Sequence, residues 1–263
     1  MRSLPVLMYH HVSPNPGLVT VSPAAFRQQM ERIAQDGWKT IGSRELEDFF
    51  AGRPLPEKSV LLTFDDGYLD NFIHAHPALK EFGLHAMLFI VTGWIGEGAV
   101  RSGMQECPDH KECKRRIAAG DTDSVILRWS EVAFMREAGT FEFHSHTHSH
   151  TRWDKSLPPG KARLDALAAD LAQSRATLKE RLGFEDRHLC WPQGYYQEDY
   201  VELAISLGFD HGYTTLPTVN HCGGDARHIG RIVTKEKSGG WVSQRLRIYS
   251  SPWMGSLYSY LKG

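Results

Sequence analysis

The stretch VLLTFDDG at residues 60–67 decides the fold class of this chain. Its apolar and β-branched run is typical of a strand buried in a parallel sheet. Asp65 and Asp66 follow at the end of that strand, which is where α/β folds bind their ligands. Two adjacent carboxylates are unfavourable unless a cation shares the site or one of them is protonated. By itself the stretch is equally compatible with a functional site and with a simple Asp-Asp-Gly turn.

A second stretch, HSHTHSH at residues 144–150, favours the functional site. It follows a short strand-like run and supplies several imidazoles at the end of that strand. A carboxylate with two histidines is a metal-ligand set of the catalytic type, with coordination positions left open. His146 and His150 are four residues apart, so one helical turn would bring both rings to one side. We do not expect His144 or His148 to be permanent ligands.

Together, TFDDG at residues 63–67 and HTHSH at residues 146–150 resemble the motifs of the polysaccharide deacetylases of the NodB-homology type, carbohydrate esterase family 4. The resemblance extends over about residues 6–215. It implies a single distorted, incomplete (β/α) barrel. It also implies metal-dependent hydrolysis of an N-acetyl group from an amino sugar of a cell-envelope glycan or its precursor.

The resemblance also implies a role for each residue of the two motifs. Asp65 corresponds to the catalytic base, and Asp66, His146 and His150 correspond to the ligands of a divalent metal. Zinc is the default ion for a ligand set of two histidines and a carboxylate, and cobalt, nickel or iron are chemically acceptable alternatives.

The general acid is expected near the start of the chain. The run PVLMY at residues 5–9 predicts a short strand that ends at His10 and His11. Many family members supply the acid from a histidine on the last strand. This chain resembles a permuted branch, that of the exopolysaccharide deacetylases, in which a Tyr-His near the start takes that place. The resemblance therefore implies His10 as the general acid, with His11 as the reserve.

The turn after a third predicted strand resembles another family motif, with two departures. Cys190 stands where some members have an arginine that orients the base, so the source of that contact stays open. Gln193 replaces the usual aromatic residue, although its backbone N–H remains a candidate oxyanion donor. Aromatic faces suit the apolar face of a sugar ring. We predict as substrate-binding residues Trp94, Gln193, Trp191 and Tyr195, with loop packing an equal alternative for Trp94.

The chain is expected to be one catalytic domain over residues 1–263, with a loop insertion at residues 98–123. Cys107 and Cys113 lie in this polar, glycine-bearing insertion. Two cysteines without a second pair are weak evidence for a metal site, so we expect free thiols in a mobile loop.

Asp225, Arg227 and Arg231 are charged residues around a predicted strand at residues 229–234. They could bind an anionic part of the substrate. Surface ion pairs are the more common explanation for such charges, and we expect them here.

Charge and hydropathy restrict the partners and the compartment. A formal net charge of -1 gives no global field that would attract nucleic acid. The chain contains no apolar run of the roughly 18–20 residues that a membrane span needs. Its first residues lack the apolar core of a signal peptide, so we expect a cytoplasmic protein that acts on a glycan precursor. The oligomeric state stays open.

The C-terminal residues 241–262 interleave aromatic and aliphatic side chains with cations and contain no acidic residue. This composition is compatible with peripheral contact at the inner face of a membrane. Packing against the barrel is slightly favoured, since Pro252 and Gly255 interrupt any long helix.

Two other functions remain open at this stage. One is an amidase acting on a small non-sugar substrate such as a cyclic ureide. The other is a non-catalytic glycan-binding module. The Asp65–Asp66 pair and the two histidines argue against the second, because binding alone does not need a base beside a metal.

Overall fold

The computed structural model describes residues 3–262, which form twelve strands and ten α-helices. The strands are β1 (Ser3–Leu4), β2 (Val6–Tyr9), β3 (His11–Val12), β4 (Thr20–Val21), β5 (Lys39–Thr40), β6 (Ser59–Asp66), β7 (Ala86–Ile90), β8 (Phe141–Ser145), β9 (His188–Cys190), β10 (His211–Tyr213), β11 (Asn220–His221) and β12 (Ile232–Val233). The helices are α1 (Pro23–Gln35), α2 (Ser43–Phe50), α3 (His76–Glu81), α4 (His110–Ala118), α5 (Trp129–Glu137), α6 (Trp153–Ser156), α7 (Lys161–Leu182), α8 (Glu198–Ser206), α9 (Gly239–Tyr249) and α10 (Pro252–Lys262).

A curled parallel sheet forms the centre of the fold. Its main path runs in the order β10-β9-β8-β7-β6-β2-β12, and β5 pairs with β6 beside this path. An isolated parallel bridge between Tyr213 and Ile229 links the region before β12 to β10 at the other end of the sheet. The incomplete barrel implied by the family resemblance is confirmed. The pairing of β12 with β2 also brings the beginning and the end of the barrel together.

Strand β6 is buried along its whole length and carries the paired carboxylates. Side chains on a strand point alternately to its two faces, so Asp65 and Asp66 should point in opposite directions. Asp66, however, has a φ of 78°, which lies in the left-handed region and ends the alternation. Both carboxylates consequently line the same cavity at the end of the strand.

The predicted insertion at residues 98–123 contains helix α4 rather than a mobile loop. Asp109 caps the helix, because its side chain accepts a hydrogen bond from the N–H of Glu112 at 2.9 Å. Cys107 and Cys113 are free thiols, as expected, but both are buried. Burial raises the pKa of each thiol to about 12. The expectation of a mobile loop is wrong, since the Cys113 side chain packs into the main core.

The C-terminal segment forms two helices with different surroundings. Helix α9 buries Val242 and Leu246 in the main core and packs against α1. Helix α10 leaves Trp253 and Tyr260 largely exposed, at 74% and 85%. No helix within residues 3–262 combines the length and the apolar composition that a membrane crossing requires. Met1 and Arg2, on which the signal-peptide expectation partly depends, lie outside the described residues, and so do the side chains of Leu261 and Lys262 at the end of the predicted tail.

Candidate active site

A cavity of about 660 Å³ opens at the carboxyl ends of the central strands. All five residues that the sequence assigns to catalysis and metal binding line it, namely His10, Asp65, Asp66, His146 and His150. They come from three different parts of the chain, after β2, at the end of β6 and after β8. Parallel strands bring their carboxyl ends to one edge, which explains why these distant residues meet.

Asp66, His146 and His150 form a compact group of acceptor atoms. Asp66 Oδ1 lies 3.3 Å from His146 Nε2 and 3.4 Å from His150 Nε2. The three ligand atoms lie within 4.8 Å of one another. Asp66 Oδ1 is buried and accepts no hydrogen bond of good geometry within residues 3–262.

The protonation of His146 is fixed from its other side. Its Nδ1 lies 2.8 Å from the carbonyl oxygen of Cys190, which can only accept, so Nδ1 carries the proton. In the neutral ring the Nε2 lone pair therefore faces Asp66 Oδ1. Burial lowers the pKa of His150 to about 4, so this ring is neutral. Burial also opposes a charge on His146, but Cys190 and the carboxylates of Asp66 and Asp65 raise its pKa well above the ordinary value, so a positive charge, a proton or a metal ion, is favoured between His146 Nε2 and Asp66 Oδ1. Lone pairs that converge on a buried carboxylate repel one another unless a cation lies between them, and these three residues thus fit a divalent metal.

The loop that carries the two histidines is not the helical turn that their spacing predicts. Thr147 and His150 have φ values of 66° and 58°, both in the left-handed region. Two short contacts hold this conformation, Thr147 N–H to Ser145 Oγ at 3.1 Å and His150 N–H to Thr147 Oγ1 at 3.0 Å. The two rings still come within 4.9 Å of each other, centroid to centroid. The helical-turn prediction is wrong in geometry, although both rings reach the same point.

Arg231 holds the other carboxylate of the pair. It donates from Nη1 to Asp65 Oδ1 at 2.7 Å and from Nη2 to Asp65 Oδ2 at 2.9 Å. Burial raises the pKa of Asp65, but the guanidinium beside it outweighs burial and holds that pKa below the ordinary value. The expectation of a surface ion pair at Arg231 is wrong, because this side chain is fully buried. Asp225 and Arg227 do form an exposed pair, as expected.

The sequence left open which residue orients the proposed base, Asp65, now that Cys190 replaces the arginine of some other family members. Arg231, just before β12, makes this contact. Arg231 donates to Cys190 Sγ at 3.1 Å as well as to Asp65. Ligand atoms of Asp65, His146 and Cys190 also lie within 4.8 Å of one another. Arg231 already occupies both oxygens of Asp65, and burial raises the pKa of the Cys190 thiol. The group around Asp66 is therefore the better candidate for a metal.

The two adjacent histidines after β2 have separate environments. His10 Nε2 lies 3.6 Å from Asp65 Oδ2, and its side chain is 18% exposed at the cavity. Burial lowers the pKa of His10 more than the neighbouring carboxylates raise it. His11 is fully buried, and its Nδ1 lies 2.6 Å from Asp70 Oδ2. The structure brings His10 to the cavity beside Asp65. His11, the alternative candidate for the general acid, does not line the cavity.

The four predicted substrate-binding residues divide into two pairs. Trp94 and Gln193 line the cavity. Gln193 has a φ of 56°, and its N–H has no backbone acceptor within residues 3–262. Trp191 is only 2% exposed and packs into a separate apolar cluster, so it has no surface to offer a sugar. The guanidinium of Arg152 covers the ring of Tyr195 at 4.0 Å. Trp191 is too buried in this geometry to contact a substrate directly, and substrate contact by Trp94, Gln193 and Tyr195 stays a prediction.

The sequence analysis also missed one wall of the cavity. Helix α4 contributes His110, Lys114 and Ile117, which follow one another at helical spacing and share one face. The Asp109 cap and this spacing were visible in the sequence. Their direction towards the cavity was not, because it depends on how the insertion folds back over the strand ends.

Comparison with known proteins identifies relatives of the chain. A family model described as polysaccharide deacetylase matches residues 52–212, which is more than half of the chain. The protein YxkH of Bacillus subtilis (strain 168) is 27% identical over 215 residues, 81% of this chain and 65% of that protein. The poly-beta-1,6-N-acetyl-D-glucosamine N-deacetylase of Escherichia coli (strain K12) is 28% identical over 218 residues, 74% of this chain and 31% of that protein. The chain thus spans less than two thirds of the length of these curated relatives.

Solved structures share the fold over nearly the whole chain. IcaB from Ammonifex degensii superposes with a TM-score of 0.75 at 28% identity, covering 94% of this chain and 98% of that one. The deacetylase PplD of Streptococcus pyogenes gives a TM-score of 0.74 at 22% identity, covering 93% and 98%. At 22% identity, the similarity to PplD shows a shared fold only.

Proposed function

The chain belongs to the polysaccharide deacetylase family, and we propose that it is a metal-dependent hydrolase that removes N-acetyl groups from the amino sugars of an exopolysaccharide or its cell-envelope precursor. One observation carries this proposal. The buried Oδ1 of Asp66, which has no hydrogen-bond partner within residues 3–262, faces two imidazole nitrogens, directly beside a carboxylate that Arg231 keeps ionised. Such a set is suited to holding a cation next to a base.

Asp66, His146 and His150 would hold the metal, and zinc is the ion that this donor set favours. Bound there, a divalent cation supplies Lewis acidity that polarises an acetyl carbonyl and lowers the pKa of a water molecule. The Cys190 carbonyl oxygen supports the site by fixing the tautomer of His146.

Proton transfer is proposed for Asp65 and His10. Asp65 is ionised and held in place by two parallel hydrogen bonds, so it can take the proton of the attacking water. His10, 3.6 Å from Asp65, can deliver a proton to the leaving amine. Because burial lowers the pKa of His10, its protonated form is a strong donor. The N–H of Gln193 is proposed to stabilise the oxyanion.

The proposed substrate is a β-1,6-linked N-acetylglucosamine chain or a precursor of one. This choice is supported by the names of the E. coli and Staphylococcus aureus relatives. The Trp94 ring at the cavity is suited to the apolar face of a pyranose.

The exposed face of helix α10 supports a second, independent proposal, contact with an anionic lipid surface. Trp253, Met254, Leu257 and Tyr260 are all exposed on this short helix. Arg247 is 67% exposed nearby, and residues 237–263 contain no acidic side chain. Aromatic residues beside cations suit the interface of an anionic bilayer. Flotation with anionic and neutral liposomes tests this. Protein that stays at the bottom of the gradient with both removes the lipid proposal.

Acetate release from N-acetylglucosamine oligomers tests the proposed activity. We expect release that stops after treatment with a chelator and returns on addition of Zn²⁺, and that Asp65→Asn abolishes without loss of bound zinc. Release of product from a cyclic ureide but not from the oligomers would replace the proposal with the small-amide hydrolase. Binding of oligomers without any turnover would replace it with a glycan-binding module.

A further inference from the structure

A chain of three polar side chains, two buried and the third half-buried, leads from the core to the cavity wall. His11 Nδ1 lies 2.6 Å from Asp70 Oδ2, and His11 Nε2 lies 3.1 Å from His110 Nδ1. Asp70 and His11 are 3% and 0% exposed, and the ring of Tyr68 stacks on His11 at 3.7 Å. His110 is the first residue of α4 and lines the cavity. None of the catalytic roles proposed above uses these residues.

The hydrogen-bond partners fix the proton on each ring. Asp70 Oδ1 accepts from the N–H of Val12 at 3.2 Å and from the amide of Asn71 at 2.8 Å, and Oδ2 accepts from His11 Nδ1–H. With a single ring proton, held at Nδ1 by Asp70, His11 has a lone pair at Nε2, which accepts from His110 Nδ1–H. His110 in turn has its lone pair at Nε2. This atom has no partner within residues 3–262, so it is an acceptor that remains free at the cavity wall.

Other roles for His110 are less compatible with its surroundings. It is not among the residues whose ligand atoms converge on Asp66, so it does not complete the metal set. Burial and the neighbouring His11 lower the pKa of His110 to about 4, which keeps it neutral and able to accept at neutral pH. A neutral acceptor with a fixed tautomer discriminates in favour of groups that donate.

We propose that His110 is a substrate-positioning residue, whose Nε2 accepts a hydrogen bond from a hydroxyl of the sugar bound in the cavity, in a tautomer that Asp70 imposes through His11. The inference rests on the proposed function, because it requires a hydroxyl-bearing sugar as the substrate. It makes α4 a determinant of specificity rather than a cover over the site.

Variants at both ends of the relay test this role. His110→Phe removes the acceptor and keeps a planar ring. It should raise KM for an N-acetylglucosamine oligomer by about 3- to 10-fold, the value of one hydrogen bond, with little change in kcat. Hydrolysis of an aryl acetate, which has no hydroxyl, should keep its KM. Lys111→Gln, next to His110 on α4 but outside both the relay and the cavity lining, is the matched control.

Asp70→Asn tests the relay itself. The oxygen of the new amide must keep facing the two donors from Val12 and Asn71, so its NH₂ group faces His11. His11 then becomes protonated at Nε2 and donates to His110 Nδ1, and the proton of His110 moves to Nε2. The ¹⁵N NMR signals of His110 should show this exchange of tautomers, which a merely structural role would not produce. KM for the oligomer should rise, and the rise should disappear in the His110→Phe background but persist with Lys111→Gln.

The outcomes separate this inference from the proposed function. Wild-type protein that releases no acetate from the oligomer overturns both. Acetate release with an unchanged KM in His110→Phe overturns the positioning role alone. Additive effects of Asp70→Asn and His110→Phe on KM, or an unchanged His110 tautomer in a folded Asp70→Asn protein, overturn the relay.

Discussion

The buried pair of Arg231 and Asp65 gives the prediction that the geometry constrains most closely. Arg231 is fully buried and donates to both Asp65 oxygens, to the carbonyl of Thr214 at 2.8 Å and to Cys190 Sγ. In Arg231→Met a side chain of similar length fills the space, but Asp65 is left as a buried charge without its partner. Removal of one member of a buried ion pair costs about 3–5 kcal/mol. For a chain of this size that is a fall in melting temperature of about 10 °C.

The assay is urea unfolding of the chelator-treated protein, so that metal binding does not contribute. Arg227→Met is the matched control, because Arg227 forms an exposed pair and should cost about 1 kcal/mol or less. The double variant Asp65→Asn/Arg231→Met removes the uncompensated charge and should be more stable than Arg231→Met alone. A double variant as unstable as the sum of its two single variants would refute the reasoning, since Arg231 would then act by packing.

Three further predictions concern the remaining polar groups of the barrel. Asp65→Asn should lower kcat by about two to four orders of magnitude and retain its zinc, whereas Asp66→Asn should lose its zinc, as measured by elemental analysis. The opposite pattern would exchange the roles of the two residues. His10→Ala should lose a similar amount of activity and keep its metal, and full activity of this variant would contradict its assignment. His11→Ala should keep kcat, but its melting temperature should fall and its KM for the oligomer should rise, because His110 loses its relay partner. Burial lowers the pKa of His144, but the carboxylates of Asp186 and Glu142 outweigh burial and raise that pKa to about 9. The protonated His144 therefore contributes fully to the free energy of unfolding below about pH 6.5, and this contribution should be lost as the pH rises through 9. A pH dependence of the unfolding free energy that is unchanged in His144→Gln would contradict this prediction.

The sequence predicted the parts of the site that lie within short motifs. The strand 60–67 and the histidine run 144–150 carry their chemistry in adjacent residues, and strand ends of a parallel sheet converge by topology. Arg231 was missed because it follows Asp65 by 166 residues, and its role exists only once β12 pairs with β2. A signal was nevertheless present, since Arg231 interrupts the apolar run IGRIV at 229–233, where a charge needs a buried partner.

The wall formed by α4 could not be predicted for a different reason. Its residues are polar and follow a glycine-bearing segment, so local pattern favoured a loop. Contacts that exist only in the folded chain, such as Cys113 in the main core, show that the segment is part of the folded domain. The spacing of His146 and His150 also could not predict the geometry of the 146–150 loop. A separation of four residues is compatible with a helical turn and with other tight turns that bring the two side chains together.

The left-handed backbone at the cavity has a consequence for directed evolution. Val19, Asp66, Thr147, His150 and Gln193 all have positive φ values and lie at or beside the cavity. Each conformation of this kind costs about 1–3 kcal/mol, and glycine would relieve most of that cost. A library selected for heat resistance alone should therefore accumulate glycine at these positions and lose activity. Comparing such a library with one selected for acetate release would locate the active site from sequencing counts, without any bound substrate.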